Sequence, residues 1–189
     1  MDTQYTKVAI FLHWLIALLI IGMLAMGFLM EDIPNELKPV VYPLHKSMGL
    51  TILALTVFRI VWRLMHKAPA LPEAMSALEK NISHAMHTLL YLIMIGLPMS
   101  GWALVSSSPK GIPTTWFGLF DWPHLPVLSE IDNKKEVSHS FGEVHETLAV
   151  IAILLIVLHV AAALKHHFVV RDNILTRMAP WLKPLPPKE

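Results

Sequence analysis

The sequence predicts an all-α fold, a four-helix transmembrane bundle with both termini cytoplasmic. Three observations predict it. The chain has 189 residues, 54% hydrophobic and only 15% charged, whereas soluble domains carry roughly 25% charged residues. Four apolar stretches each reach the ~20 residues that a bilayer core requires. Lysine and arginine gather on one side of the topology that these stretches define.

The four spans are expected at about residues 8–30, 40–65, 82–105 and 138–167. The first, "VAIFLHWLIALLIIGMLAMGFLM", is interrupted only by His13. It is longer than the ~7–15 residues of a secretory apolar region, and no small-residue cleavage site follows, so it reads as a retained helix. The second carries Lys46, Arg59 and Arg63, and the third contains Pro98. The fourth has its apolar part at 141–164, and "SFGE" at Ser140–Glu143 has the spacing of a capping box that could start that part. Backbone polar groups must be satisfied within each segment, so the spans are helices.

Orientation follows from the cations. Lys7, Arg59, Arg63, Lys67, Lys80, Lys165, Arg171, Arg177, Lys183 and Lys188 fall on one side, and Lys38, Lys46, Lys110, Lys134 and Lys135 on the other. The twofold excess marks the first side as cytoplasmic. The 106–137 connection is long for a structureless loop and is expected to fold onto the outer end of the bundle. Its Trp116, Phe117, Phe120 and Trp122 suit an interfacial aromatic belt. The whole chain, 1–189, reads as one domain. A net charge of +1 offers no field for nucleic acid. The lack of cysteine excludes disulfides, iron–sulfur clusters and covalent haem attachment.

The histidines carry the chemistry. His145 and His159 lie fourteen residues apart in one apolar helix, about 21 Å along its axis. That is two heptads, so both rings face the same neighbours in a left-handed bundle. Alternating helix directions then put His13 with His159 near the inner end and His45 with His145 near the outer end. Fourteen residues after His13 is Gly27, and fourteen after His45 is Arg59. Gly27 would let a flat group approach at the outer level, and Arg59 could hold an anion at the inner one. Gly49, Ala162 and Ala163, one turn from ring-bearing positions, leave further room. Paired imidazoles beside small residues fit two non-covalent b haems with four axial ligands, His13, His45, His145 and His159. Histidines that merely bond neighbouring helices, a proton relay, and a non-haem metal site are the alternatives.

The stretches "FLHWLIALL", "PLHKSMGL", "FRIVWRL", "GEVHETLA" and "VLHVAAALKHH" together resemble the bacterial cytochrome b561 family. The resemblance implies a multi-pass cytochrome of the bacterial inner membrane that exchanges electrons with the quinone pool. It also implies superoxide oxidation coupled to ubiquinone reduction, with the four histidines above as axial ligands. A cytochrome b anchor subunit for a periplasmic dehydrogenase or hydrogenase-like complex is the other function expected from such a chain. Arg59, Arg63 and His87 are candidate propionate or quinone contacts, and Lys46, Lys134 and Lys135 are candidates for steering an anionic reductant. His84 or His87 could replace an inner ligand, and His139 an outer one. His66, His124, His166 and His167 are expected to be solvated at membrane edges or in the loop.

Overall fold

The computed structural model describes residues 4–186; Lys188, counted above for orientation, lies outside them. Among the described residues, four helices are long and apolar enough to cross a membrane. They are α1 (Lys7–Leu29), α2 (Lys38–Met65), α3 (Ala77–Ser106) and α5 (Lys134–Leu164), the last continued by a π-helical turn, Lys165–Val170. Consecutive spans run in opposite directions. α2 packs against both α1 and α3, and α3 packs most extensively against α5. The chain thus forms a bundle with α1 and α5 facing each other across its interior.

Local chemistry sets the helix ends. Thr6 caps α1, its hydroxyl accepting from Ala9 N–H at 3.2 Å. α3 begins five residues earlier than the sequence suggests, because Ser76 and Glu79 form a reciprocal capping box. α5 begins at Lys134 and not at 138, so "SFGE" lies inside the helix and caps nothing. Ser138 instead donates to the Leu104 carbonyl on α3 at 3.3 Å. At its far end α5 widens into the π-helical turn, which Arg171 closes in a left-handed conformation (φ 60°).

The helix exteriors are apolar and exposed, as with Phe11, Leu18, Leu154 and Val157, which suits lipid contact. The buried apolar core is correspondingly small. Leu12, Ile16, Leu50, Ile52, Ala103 and Ala152 make up its membrane-level part. Elsewhere the helices surround a cavity of about 1140 Å³, larger than the ~300–1,000 Å³ of ordinary ligand pockets.

The 106–137 connection folds onto the α2/α3 end, as its length suggests. It contains a two-stranded antiparallel hairpin, β1 (Thr114–Trp116) and β2 (Phe120–Trp122), and a short helix α4 (Pro126–Ser129). The turn at Phe117 and Gly118 has positive φ at both residues (49° and 71°) and closes with Leu119 N–H to Trp116 C=O at 2.9 Å. This is the twist-matched turn of tight hairpins. Buried Ser47 on α2 anchors the hairpin: its hydroxyl accepts from Phe117 N–H at 3.0 Å and lies 3.1 Å from the Thr115 carbonyl. Trp116 Nε1 donates to Thr51 at 3.1 Å, and Trp102 Nε1 to Pro123 at 3.0 Å. Of the four aromatics expected in an interfacial belt, Phe117 and Phe120 are exposed, while Trp116 and Trp122 are tucked against the bundle.

At the opposite end a short C-terminal helix, α6 (Ile174–Met178), lies under the cavity. Trp14 Nε1 donates to the Met178 carbonyl at 2.7 Å, and Arg177 donates to the Ala70 carbonyl at 2.6 Å.

Ser47→Ala removes the acceptor of a part-buried amide. The expected cost is about 1–3 kcal/mol, seen as a lower thermal midpoint in detergent and faster protease cleavage within residues 112–122. Unchanged cleavage would show that Ser47 does not hold the hairpin.

Candidate functional site

His13 and His159 face each other with ring centroids 6.2 Å apart, and His45 and His145 do the same at 6.2 Å. The two pairs sit at the two levels expected from the fourteen-residue spacing. Interplanar angles are 69° and 74°. All four rings line the same cavity. A metal ion held between two imidazoles needs about 2 Å to each nitrogen, which places ring centres roughly 6–6.5 Å apart. Both pairs meet that distance. The room beside them is also present. A Cβ at Gly27 would lie 3.6 Å from His45 Cε1, and one at Gly49 would meet nothing within 4 Å. Ala162 and Ala163 line the cavity wall. The residues therefore fit flat groups carrying a metal at two levels, as b-type haem does.

The His45/His145 level is tuned by residues that the sequence reading missed. His145 Nδ1 lies 3.0 Å from the Leu97 carbonyl and 3.0 Å from Ser100 Oγ. The Ser100 hydroxyl itself donates to Leu97 at 2.7 Å. A carbonyl only accepts, so Nδ1 carries the proton and Nε2 is left bare. This is the second-shell arrangement that prepares an imidazole for a metal. The ring can reach the backbone of α3 because residue 101 is glycine. A Cβ there would lie 3.0 Å from His145 Cε1 and 3.3 Å from Nδ1. His45 Nδ1 is buried and has no protein partner.

The His13/His159 level is more polar. Arg59 Nη2 lies 3.1 Å from His13 Nδ1, and Arg59 Nε donates to Tyr91 Oη at 3.3 Å. Arginine cannot accept, so His13 Nδ1 is the acceptor. A metal at His13 Nε2 would place the proton on Nδ1, and the guanidinium would then turn to another acceptor, such as a carboxylate. Arg63 lines the same space and, with Arg59, stacks on Tyr91 at 5.8 and 5.6 Å. His87 Nδ1 is 2.7 Å from the Ser83 carbonyl, and its ring is 5.5 Å from His159. That separation is shorter than a metal bridge requires, whereas His13 meets the distance. His84 is exposed.

The other candidates divide. Lys46 is half-buried and lines the cavity. Lys134 and Lys135 lie in the first turn of α5, not in a loop, and do not reach the cavity wall. His139 is exposed and 3.7 Å from Glu143, too far out on the surface to displace His145. None of the four histidines expected to be solvated is exposed. His167 is buried, and His166 Nδ1 pairs with Asp172 at 2.6 Å in a part-buried contact. The π-helical turn draws both inward, a distortion that helical periodicity does not reveal. His66 stacks on Trp62 at 4.1 Å, and His124 Nδ1 is buried. Among the described residues, no three His, Asp or Glu side chains are grouped to hold a bare metal ion.

Gly101→Val would push the His145 ring off the Leu97 carbonyl. The expected result is loss of the same haem absorbance component that His45→Ala removes, with the rest of the spectrum kept. An unaltered spectrum would show that close approach to α3 is not needed.

The comparisons with known proteins agree with this geometry. The family model described as prokaryotic cytochrome b561 matches residues 4–181. "Cytochrome b561 homolog 2" of Escherichia coli is 30% identical over 177 residues, covering 93% of this chain and 90% of that protein. "Probable superoxide oxidase CybB" of Yersinia pestis is 32% identical over 180 residues, covering 95% and 98%. "Cytochrome b562" of Cereibacter sphaeroides is 28% identical over 183 residues, covering 94% and 96%. The chain belongs to the prokaryotic cytochrome b561 family, bacterial membrane proteins of electron transfer built around b-type haem.

Proposed function

We propose that the chain is a di-haem superoxide:ubiquinone oxidoreductase of the bacterial inner membrane, acting as one domain with both termini in the cytoplasm. The observation that carries the reading is the repeated 6.2 Å imidazole separation at both levels of one cavity. His45 with His145 would hold one haem, and His13 with His159 the other. When bound, each haem would supply a one-electron iron centre. The relative named for superoxide oxidation covers nearly the whole chain and supports the choice of reductant. Two superoxide anions become two molecules of oxygen and release two electrons. One ubiquinone takes those electrons and two protons to become ubiquinol.

The chain's own residues divide the labour. Lys46 follows His45 directly and lines the cavity, so it draws a small anion to that end, and added salt weakens the attraction. Lys134 and Lys135 extend the positive field at the start of α5. Leu97 and Gly101 hold His145 in its binding tautomer and position. At the other end Arg59 and Arg63 supply donors for propionate carboxylates or a quinone oxygen, and His87 adds a polar wall for the quinone head group.

A second reading rests on one feature. The hairpin tip exposes Phe117, Leu119 and Phe120 at the His45/His145 end. A periplasmic dehydrogenase or hydrogenase-like partner seated there would make the chain its electron-transfer anchor. Recovery of a stoichiometric complex, lost when Leu119 and Phe120 are changed to Ser, would favour this reading.

Pyridine extraction of purified protein is expected to give two b haems per chain. His45→Ala or His145→Ala should remove one and His13→Ala or His159→Ala the other. One haem in the intact chain would overturn the two-level assignment. Pulsed superoxide should reduce the protein in a stopped-flow experiment. A Lys46/Lys134/Lys135 triple-Ala variant should react several-fold more slowly and lose its salt dependence. No reduction by superoxide at all would leave the anchor reading in its place.

A further inference from the structure

A second, much smaller cavity lies against the first at the His13/His159 end, between α1 and α2. Its volume is about 30 Å³, enough for one or two waters at ~10–15 Å³ each. Exposed Lys67 and Ala68 stand at its rim. Thr6, Trp62 and His66 line it as well. The lining is polar enough to hold water, since a buried water needs two to four polar partners. Thr6 Oγ1 already accepts from Trp62 Nε1 at 2.9 Å and from Ala9 N–H, so the wall is fixed in place.

Four residues line both cavities: Arg59, Arg63, Tyr91 and Met178. They form the partition between a surface-connected polar pocket and the apolar interior. Methionine has no exchangeable proton. Arginine keeps its protons under all relevant conditions. Only the Tyr91 hydroxyl can give a proton on one side and take one on the other. Its oxygen accepts from Arg59 Nε at 3.3 Å, which uses one acceptor position and leaves its own hydrogen free to donate. Both guanidinium groups flank the ring, at 5.6 and 5.8 Å. They oppose the passage of a free hydronium ion and attend the oxygen while it is without its proton.

We propose that this side pocket is the proton intake of the protein, with the Tyr91 hydroxyl as the relay between pocket water and the cavity. The proposal rests on the quinone reading above, which consumes two protons per quinone inside the membrane. In each cycle Tyr91 gives its proton into the cavity toward the reduced quinone, then takes one from pocket water, which is refilled from solvent past Lys67. Two cycles supply ubiquinol, two electrons having come from two superoxide anions, and Tyr91 ends unchanged. Arg59 and Arg63 are positioning residues in this scheme, since they hold the phenol and carry no proton themselves.

The test uses the purified holoprotein in detergent, reduced and then mixed with a short-chain ubiquinone analogue in weak buffer with a pH-indicator dye. The wild-type protein should take up two protons per quinone. Tyr91→Phe, which deletes only the hydroxyl, should slow proton uptake and quinone-driven reoxidation together by about tenfold or more. Reoxidation by ferricyanide, which needs no proton, should be unchanged, as should haem content and midpoint potentials. Ala9→Leu, which fills the pocket and leaves Tyr91 in place, should give the same pattern. Proton uptake at the wild-type rate in either variant would overturn the proposal. Slowing with ferricyanide as well, or shifted potentials in Tyr91→Phe, would also overturn it, showing that the phenol serves only to hold Arg59. If the wild-type protein delivers electrons to ferricyanide but none to the quinone, the quinone reading itself fails, a result distinct from the others.

Discussion

An imidazole inside an apolar bundle needs partners for both of its nitrogens, and the rest of the structure answers to that requirement. Water is absent from the bilayer core, and backbone groups are already paired within their helices. An orphaned ring nitrogen there is costly. At His145 the answer is visible on one side: Leu97 and Ser100 take Nδ1, and Nε2 is left for a metal. At His87 the Ser83 carbonyl does the same. At His13 the partner is Arg59. At His45 no protein group meets Nδ1. His13 faces His159 and His45 faces His145 at a fixed distance, so a metal shared by each pair, as proposed above, would satisfy the remaining nitrogens.

That requirement explains why the bundle is hollow. A four-helix bundle normally fills its centre with large aliphatic side chains. Here the interior-facing positions near the rings are Gly27, Gly49, Gly101 and Ala162, and the buried apolar core is confined to a few residues such as Ile16 and Ile52. Cohesion comes instead from the tight α3/α5 contact, where Gly101 and Gly142 allow close approach. Caps at the two ends contribute as well. The hairpin is bonded to Ser47 and Thr51 at one end, and α6 to Trp14 at the other.

The spans, the two ring levels and the small residues beside them were legible in the sequence because each follows from a period. A helix repeats every 3.6 residues, and fourteen residues return a side chain to the same face four turns on. What lay outside a single helix's period was not legible. Nothing local to Gly101 or Leu97 announces that His145 will lean on them from another helix. Nothing in the sequence sets Tyr91 apart until α2 brings Arg59 and Arg63 to it. The inward turn of His166 and His167 depends on a π-helical widening that breaks the very period used to place them. The start of α5 was misplaced for a related reason. Lysines in the first turn of a helix oppose its dipole, and the polar run before Ser140 looks like loop, yet Glu136 and the contact of Ser138 with Leu104 carry the helix back to Lys134.

The two ends of the cavity differ in a way that bears on direction. Around His45 and His145 the polar partners are a carbonyl and a serine hydroxyl, and Lys46, Tyr42, Glu31 and Glu146 line the cavity there. Under the function proposed above, the Lys46 ammonium beside the rings suits the approach of a small anion such as superoxide. Around His13 and His159 stand two guanidinium groups, a phenol, a third imidazole and, beyond them, the His166–Asp172 pair. A quinone gaining two electrons in an apolar cavity develops negative charge that must be neutralised where it forms, because uncompensated charge in low dielectric is costly. Both guanidinium groups of the cavity wall stand at this end. Under the function proposed above, that asymmetry favours quinone reduction at the α6 end, and it does so without reference to the orientation of the chain in the membrane.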